Sequence, residues 1–283
     1  MGSFLGHVLP GSLLMAFGLW HMLHISFVYF KSLARRGQPY KTQFYFTTSC
    51  GGQQLALESL LKILLCGVGI VGETVTGYRD GRFVNLGNSQ HIAMFTAFAS
   101  LGAIELIHQH GIRLPPGAVG GMNLLALAIE CLLFAFHLHG RSPLDILVHQ
   151  FLIVVVLSTM VTVVVELLHP RLVLASLIRA FLLFLQGLWF WQVAFILYPP
   201  HGEPWPAHDH GNMTIATVVF VGHIGLSLLT LSASWSLAAL RFGSFRLQSR
   251  LASHHKEQYS LVPAESKSEG AASLDESNED LLA

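Results

Sequence analysis

Charge is what this chain has least of. Only 11% of its 283 residues are Asp, Glu, Lys or Arg, and the sixteen basic side chains cancel the sixteen acidic ones. Soluble domains carry more than twice that share, so composition argues against one large soluble domain or two small ones. No basic patch stands out beyond short clusters beside apolar runs, which leaves nucleic acid without an electrostatic footprint. Cysteine is scarce too. Cys50, Cys66 and Cys131 form no CxxC pair, and the two inside apolar runs behave as small hydrophobes. A disulfide framework is not expected. HExxH, EF-hand, Walker and GxSxG patterns are all missing, and with them the signatures of the chemistries those spacings serve. No Lys or Arg precedes Lys31, so the apolar N-terminus reads as a retained span rather than a signal peptide.

What the chain has in quantity is uninterrupted apolar sequence: 52% of it is hydrophobic. Seven segments emerge, at about 6–30, 53–72, 89–108, 117–139, 144–168, 172–198 and 213–240. Each reaches 20 residues or more, enough to cross about 30 Å of hydrocarbon at 1.5 Å per residue. Breakers fall between them, among them Gly77-Tyr78-Arg79-Asp80-Gly81, Leu114-Pro115-Pro116-Gly117 and Pro199-Pro200-His201-Gly202. The runs are too long, and lack the turn spacing, for a barrel. The fold class expected is all-α: a polytopic bundle of seven transmembrane helices over residues 1–242, embedded in a lipid bilayer. Residues 243–283 form a polar, acidic tail too poor in apolar surface to order itself.

Basic residues give the orientation. One side collects eleven of the sixteen: Lys31, Arg35, Arg36, Lys41, Arg113, Arg171, Arg241, Arg246, Arg250, Lys256 and Lys267. The other collects Arg79, Arg82 and Arg141. The N-terminus is therefore expected on the exoplasmic or lumenal side and the tail in the cytosol. There Leu281-Leu282 after Glu279-Asp280 suggests a contact with sorting machinery. Asn212-Met213-Thr214 matches a glycosylation sequon at the mouth of the last span.

Ionisable residues inside spans are costly and turn toward the bundle interior or water. They fall into two layers here. The inner layer holds Glu58, Lys62, Glu105, Glu166 and Arg179, with Glu130 near mid-depth. Glu58 and Lys62 are spaced i,i+4 with the acid first, the favourable order for a pair. Arg179 needs a carboxylate, from Glu130 or Glu166. Such groups serve either as ion pairs that fix helix packing or as a relay for protons or ions. The outer layer gathers His7, His91, His137, His139, Asp145, His149 and His223. Neutral imidazole is a frequent zinc ligand, and a haem or proton role is open to the same residues. Against this, His137 and His139 are i,i+2 and diverge on a regular helix. In the sixth segment Gln186, Trp189, Trp191 and Gln192 suggest interhelical hydrogen bonds or the lining of a lipid or small-molecule cavity.

Three motifs carry a family resemblance: Gly6-His7-Val8-Leu9-Pro10-Gly11-Ser12; His137-Leu138-His139-Gly140-Arg141-Ser142-Pro143-Leu144-Asp145 with His149; and Leu185-Gln186-Gly187-Leu188-Trp189-Phe190-Trp191-Gln192 through Leu197-Tyr198-Pro199-Pro200. In this order and spacing they resemble the transmembrane protein 45 family, which includes transmembrane epididymal proteins. The resemblance runs over roughly residues 2–240, with Glu58, His91, Glu105, Glu130 and His223 at polar positions of the family. It implies a multi-pass protein of secretory-pathway, endolysosomal or surface membranes and brings no established reaction. The expected activity is thus non-enzymatic, exerted through helix surfaces, a helix-mediated oligomer or the tail. A metal site acting on a lipid and a proton or ion path are the alternatives.

Overall fold

Hydrocarbon offers no water to backbone polar groups, so each apolar run satisfies its own by winding into a helix. The computed structural model describes residues 3–34, 39–51 and 53–260. Among these are seven long helices: α1 Phe4–Ala34, α2 Leu57–Gly77, α3 Leu86–Gln109, α4 Ala118–Phe136, α5 Pro143–Leu168, α6 Val173–Leu197 and α7 His210–Ser260. All seven are long and apolar enough to span a bilayer, α7 over His210–Phe242. The protein is a multi-pass membrane protein. Bundle packing belongs to the unit Met1–Ala238, and the chain from Ala239 is a second unit. Helix α7 runs past residue 243 to Ser260, while the acidic stretch 264–280 and Leu281-Leu282 lie outside the described residues.

Element ends follow local chemistry. Ser142 caps α5 with its side chain accepting from the Asp145 N–H, and Pro143 occupies the first helical position, where its missing donor costs nothing. The second span starts and ends later than the apolar run suggests, at Leu57 and Gly77. Its predicted first residues instead enter a small hairpin, β1 Thr48–Cys50 with β2 Gln53–Leu55. A second hairpin, β3 Tyr78–Arg79 with β4 Arg82–Phe83, turns at Asp80 and Gly81. Both turn residues have positive φ, 52° and 73°, as a two-residue hairpin of the primed type demands.

The helices neighbour one another in the order α2, α3, α4, α5, α6, α1. Hydrogen bonds from Trp20 and His21 of α1 to Glu58 of α2 close the ring. Helix α7 lies outside it, setting Ala216 and Phe220 into a core with Leu152, Trp189 and Val193. The broadest interface is α1 with α6, and glycine makes it possible. A Cβ on Gly187 would stand 2.5 Å from the Met15 nitrogen, and one on Gly18 would stand 2.6 Å from the Phe184 nitrogen. Small residues let two backbones approach in lipid, where dispersion replaces hydrophobic drive.

Residues 39–47, a connector on sequence grounds, are part of the core. Tyr40 and Phe46 are buried among Met22, Ile25, Leu177 and Phe184. Thr42 holds the Pro170 carbonyl through its backbone N–H at 2.7 Å. This strap closes one end of the ring.

Candidate functional site

Two cavities lie inside the ring. The first, of about 300 Å³, is lined by His7 at the start of α1, Glu73 near the end of α2, His91 on α3, His137 just past α4 and His149 on α5, together with Asn88, Gln90 and Phe190. Ring centroids are 5.9 Å apart for His7 and His149, 5.7 Å for His91 and His137, and 6.3 Å for His137 and His149. Three of the rings are anchored through Nδ1. His7 reaches the Ser3 carbonyl at 2.9 Å, His91 the Glu73 carboxylate at 3.0 Å, and His149 the Asp145 carboxylate at 2.8 Å. An oxygen acceptor at Nδ1 places the hydrogen there, so in each neutral ring Nε2 is the lone-pair acceptor.

His137 is held differently. Helix α4 ends at Phe136, which frees the next residues from helical i,i+2 divergence. The Nδ1 of His137 donates to Gln90 Oε1 at 2.7 Å, and its Nε2 accepts from the Arg141 guanidinium. Arg141 also donates to the His137 carbonyl at 2.9 Å and to both Asp145 oxygens, the nearer at 2.8 Å. The result is a string His137–Arg141–Asp145–His149 across the α4–α5 junction. Burial, reinforced by Arg141, pushes the His137 imidazole down to about 4. Arg141 itself is raised, burial working against it and the Asp145 hydrogen bond and charge outweighing that.

A pH dependence follows, with a definite sign. Between about pH 6.5, the free imidazole value, and about 4, the unfolded chain takes up a proton that folded His137 refuses. Its contribution to stability is complete above that window and is lost as pH falls through it. Melting of the purified protein in nanodiscs is expected to drop on acidification across the window, and less so in His137→Gln. Equal drops for the two proteins would contradict the assignment.

The second cavity, of about 130 Å³, shares Pro10, Met94, Phe95 and Phe190 with the first. Its further walls include His21, Lys62, Cys66, Leu127, Glu130, Thr159 and Arg179. Glu130 is 2% exposed. One of its oxygens accepts from Gln186 Nε2 at 2.8 Å, and the other, Oε2, has no partner among the described residues.

A continuous charge network borders this cavity through His21, Lys62 and Arg179. Arg179 donates through Nε to Glu166 at 2.6 Å, through one terminal nitrogen to His21 Nδ1 at 3.0 Å, and through the other to the Gln43 carbonyl at 2.9 Å. A guanidinium only donates, so His21 Nδ1 accepts and its Nε2–H points at Glu58 Oε1, 2.8 Å away. Glu58 also takes the Trp20 indole N–H, the Phe46 backbone N–H and Lys62. Lys62 continues to Glu105 at 2.8 Å, and Ser59 donates to the same carboxylate. Thr42 and Ser176 complete the Glu166 end. Five helices and the 39–47 strap meet here.

Several residues singled out by sequence fall elsewhere. His139 stays exposed, its Nδ1 3.4 Å from the Phe136 carbonyl. His223 turns back to the Val219 carbonyl and meets the Trp189 ring. Asp145 stands behind the cavity wall, where it orients His149 and Arg141. Arg179 pairs with Glu166 and not with Glu130, which accepts from Gln186 through one oxygen. Gln186, Trp189, Trp191 and Gln192 line neither cavity; Phe190 lines both. Trp189 is committed to the Val148 carbonyl at 2.8 Å and Trp191 to Ser12 Oγ at 3.0 Å. No group of three His, Cys, Asp or Glu among the described residues is arranged to hold a metal ion. The sequence reading missed His21, Glu73, Gln90 and Arg141. An i,i+4 rule starting from Asp145 would have found Arg141, and one turn more of the second span would have included Glu73.

Comparison with known proteins agrees with this architecture. Residues 116–236 match the model of a family of unknown function, DUF716. Transmembrane epididymal protein 1 of Rattus norvegicus is 26% identical over 271 residues, covering 90% of this chain and 89% of its own length. Transmembrane epididymal protein 1A of Mus musculus is 26% identical, with 84% and 82% covered. The Homo sapiens transmembrane epididymal protein 1 is 29% identical over 168 residues, 58% of this chain and 59% of its own.

Proposed function

For this chain, a member of the DUF716 family and a relative of the transmembrane epididymal proteins, we propose a proton path through the bilayer rather than a catalytic centre. The observation that carries the reading is Glu130, a buried carboxyl with one unpartnered oxygen, in the wall of a cavity that abuts the histidine cavity. From His7 to His21 helix α1 climbs about 21 Å, most of the hydrocarbon thickness. Along that distance lie the imidazole cavity, the shared side chains Pro10, Met94, Phe95 and Phe190, the Glu130 cavity, and then His21 with Glu58. An orphan buried oxygen is costly unless it takes a proton of its own or a donor from water. Glu130 thus has a reason to exchange protons with either side. Imidazole serves as the relay at both ends. On the orientation expected from the excess of Lys and Arg, the histidine cavity faces the exoplasmic or lumenal side and the Lys62–Arg179 network the cytosol.

Proteoliposomes carrying a pH-sensitive dye and an imposed gradient test the path. The parent is expected to dissipate the gradient well above empty liposomes. Glu130→Gln keeps the shape and an amide acceptor for Gln186 but cannot cycle a proton, and is expected to slow the flux by about tenfold or more. A parent no leakier than lipid alone, or a variant as fast as the parent, removes the proposal.

A further inference from the structure

The histidine cavity has an uneven polar inventory. Its lining holds three imidazoles, His7, His91 and His149, with Nδ1 committed behind them and no protein partner at Nε2 among the described residues. Among the described residues of the lining there is one carboxylate, Glu73, and no Lys or Arg. Arg141, the nearest guanidinium, is spent on His137 and Asp145 and is not in the lining. The Asn88 amide is spent on the Glu73 carbonyl and Thr76, both at 2.9 Å. The rest of the wall combines neutral polar side chains, Ser3, Thr76, Asn85 and Gln90, with an apolar and aromatic part, Phe95, Phe134, Phe190, Met94 and Leu133.

Imidazole acceptors and a carboxylate with no Lys or Arg beside them call for an occupant that brings hydrogens and positive charge. The geometry points to a binding site for a small protonated amine. An ammonium group has three N–H donors, matching the free imidazole nitrogens, and Glu73 offsets its charge at the rim, where the Glu73 side chain is 21% exposed. The phenylalanine faces hold the organic part and add cation–π attraction. The volume of about 300 Å³ is far beyond a bare ion and at the lower end for organic ligands. Anions fit the same inventory poorly, since they would face Glu73 and the imidazole lone pairs with no Lys or Arg among the described lining residues to receive them. A zinc ion needs ligand atoms about 2.0–2.1 Å from one point, and the described residues offer no such trio.

Benzylamine is the probe and benzyl alcohol its uncharged isostere, titrated calorimetrically near neutral pH into the full-length protein in nanodiscs. Empty nanodiscs correct for partition into lipid. Benzylamine is expected to bind in equimolar amount, with the alcohol at least about tenfold weaker. Glu73→Gln is expected to bring the amine down to the level of the alcohol without altering the melting temperature. Should that variant fail to fold, Glu73→Asp keeps the charge but withdraws it, and should weaken the amine alone. Equal affinity for amine and alcohol, absence of benzylamine binding, or indifference to the Glu73 change overturns the site. So does stoichiometric zinc that excludes benzylamine and is lost in His149→Ala, which would make the cavity a metal centre. Proton flux through Glu130 is measured without any amine, so the two proposals fail separately.

Discussion

Arg179→Ala is expected to destabilise the bundle by about 3–5 kcal/mol, the cost of leaving a buried charge without its partner. Arg179 is 3% exposed and Glu166 is fully buried. Removing the guanidinium strands the Glu166 carboxylate, the Gln43 carbonyl and the His21 Nδ1 together. Arg179→Lys is expected to fall between the two, because one ammonium on a flexible stem cannot meet three partners from a rigid fork. The double change Arg179→Met with Glu166→Leu is expected to recover much of the loss, since a buried pair replaced by apolar side chains is often close to neutral. Reversible unfolding in mixed micelles measures all three. If the single alanine variant matched the parent, the network would be ornamental.

The second large effect is steric. At Gly187 even alanine puts a Cβ 2.5 Å from the Met15 nitrogen and 2.6 Å from the Gly11 carbonyl oxygen. Both are backbone atoms that no rotamer can move aside. Overpacking of this kind costs about 1–3 kcal/mol and more when backbone must shift. Gly187→Leu is expected to prevent α1 and α6 from closing, so that little folded protein accumulates. Gly222→Ala in α7 is the control. It meets nothing within 4 Å and is expected to be neutral or slightly favourable, by helix propensity alone. Parallel yields of monodisperse protein after detergent extraction, together with melting temperatures, decide the matter. Identical behaviour of the two glycines would mean that the α1–α6 approach is looser than described.

The spans could be read from sequence because hydrocarbon imposes one rule on every residue of a segment, and an apolar run of sufficient length has one solution. The ends of α5 and α6 were within reach for the same reason, through Ser142-Pro143 and Pro199-Pro200. Glu73 escaped because an acid at the end of a span looks like the start of a loop, whereas a polar cavity makes it a wall. The role of His21 is a matter of pairing among α1, α2 and α6, which periodicity along one helix cannot express. The 39–47 strap escaped for the opposite reason. Its sequence is mixed and loop-like, and only the presence of buried acids that need backbone and hydroxyl donors draws it inward. His137 and His139 separated once α4 stopped at Phe136, an ending set by the turn before Gly140 and not by hydropathy.

The glycine seam between α1 and α6 also orders events during synthesis. The partner that completes His21 is Arg179, 158 residues further along the chain. At about 5–20 residues per second the ribosome takes roughly 8–32 s to make that stretch. Through that interval the most polar stretch of the first helix must be sheltered by the insertion machinery or by Glu58 alone, and the sixth helix locks it in place only on arrival.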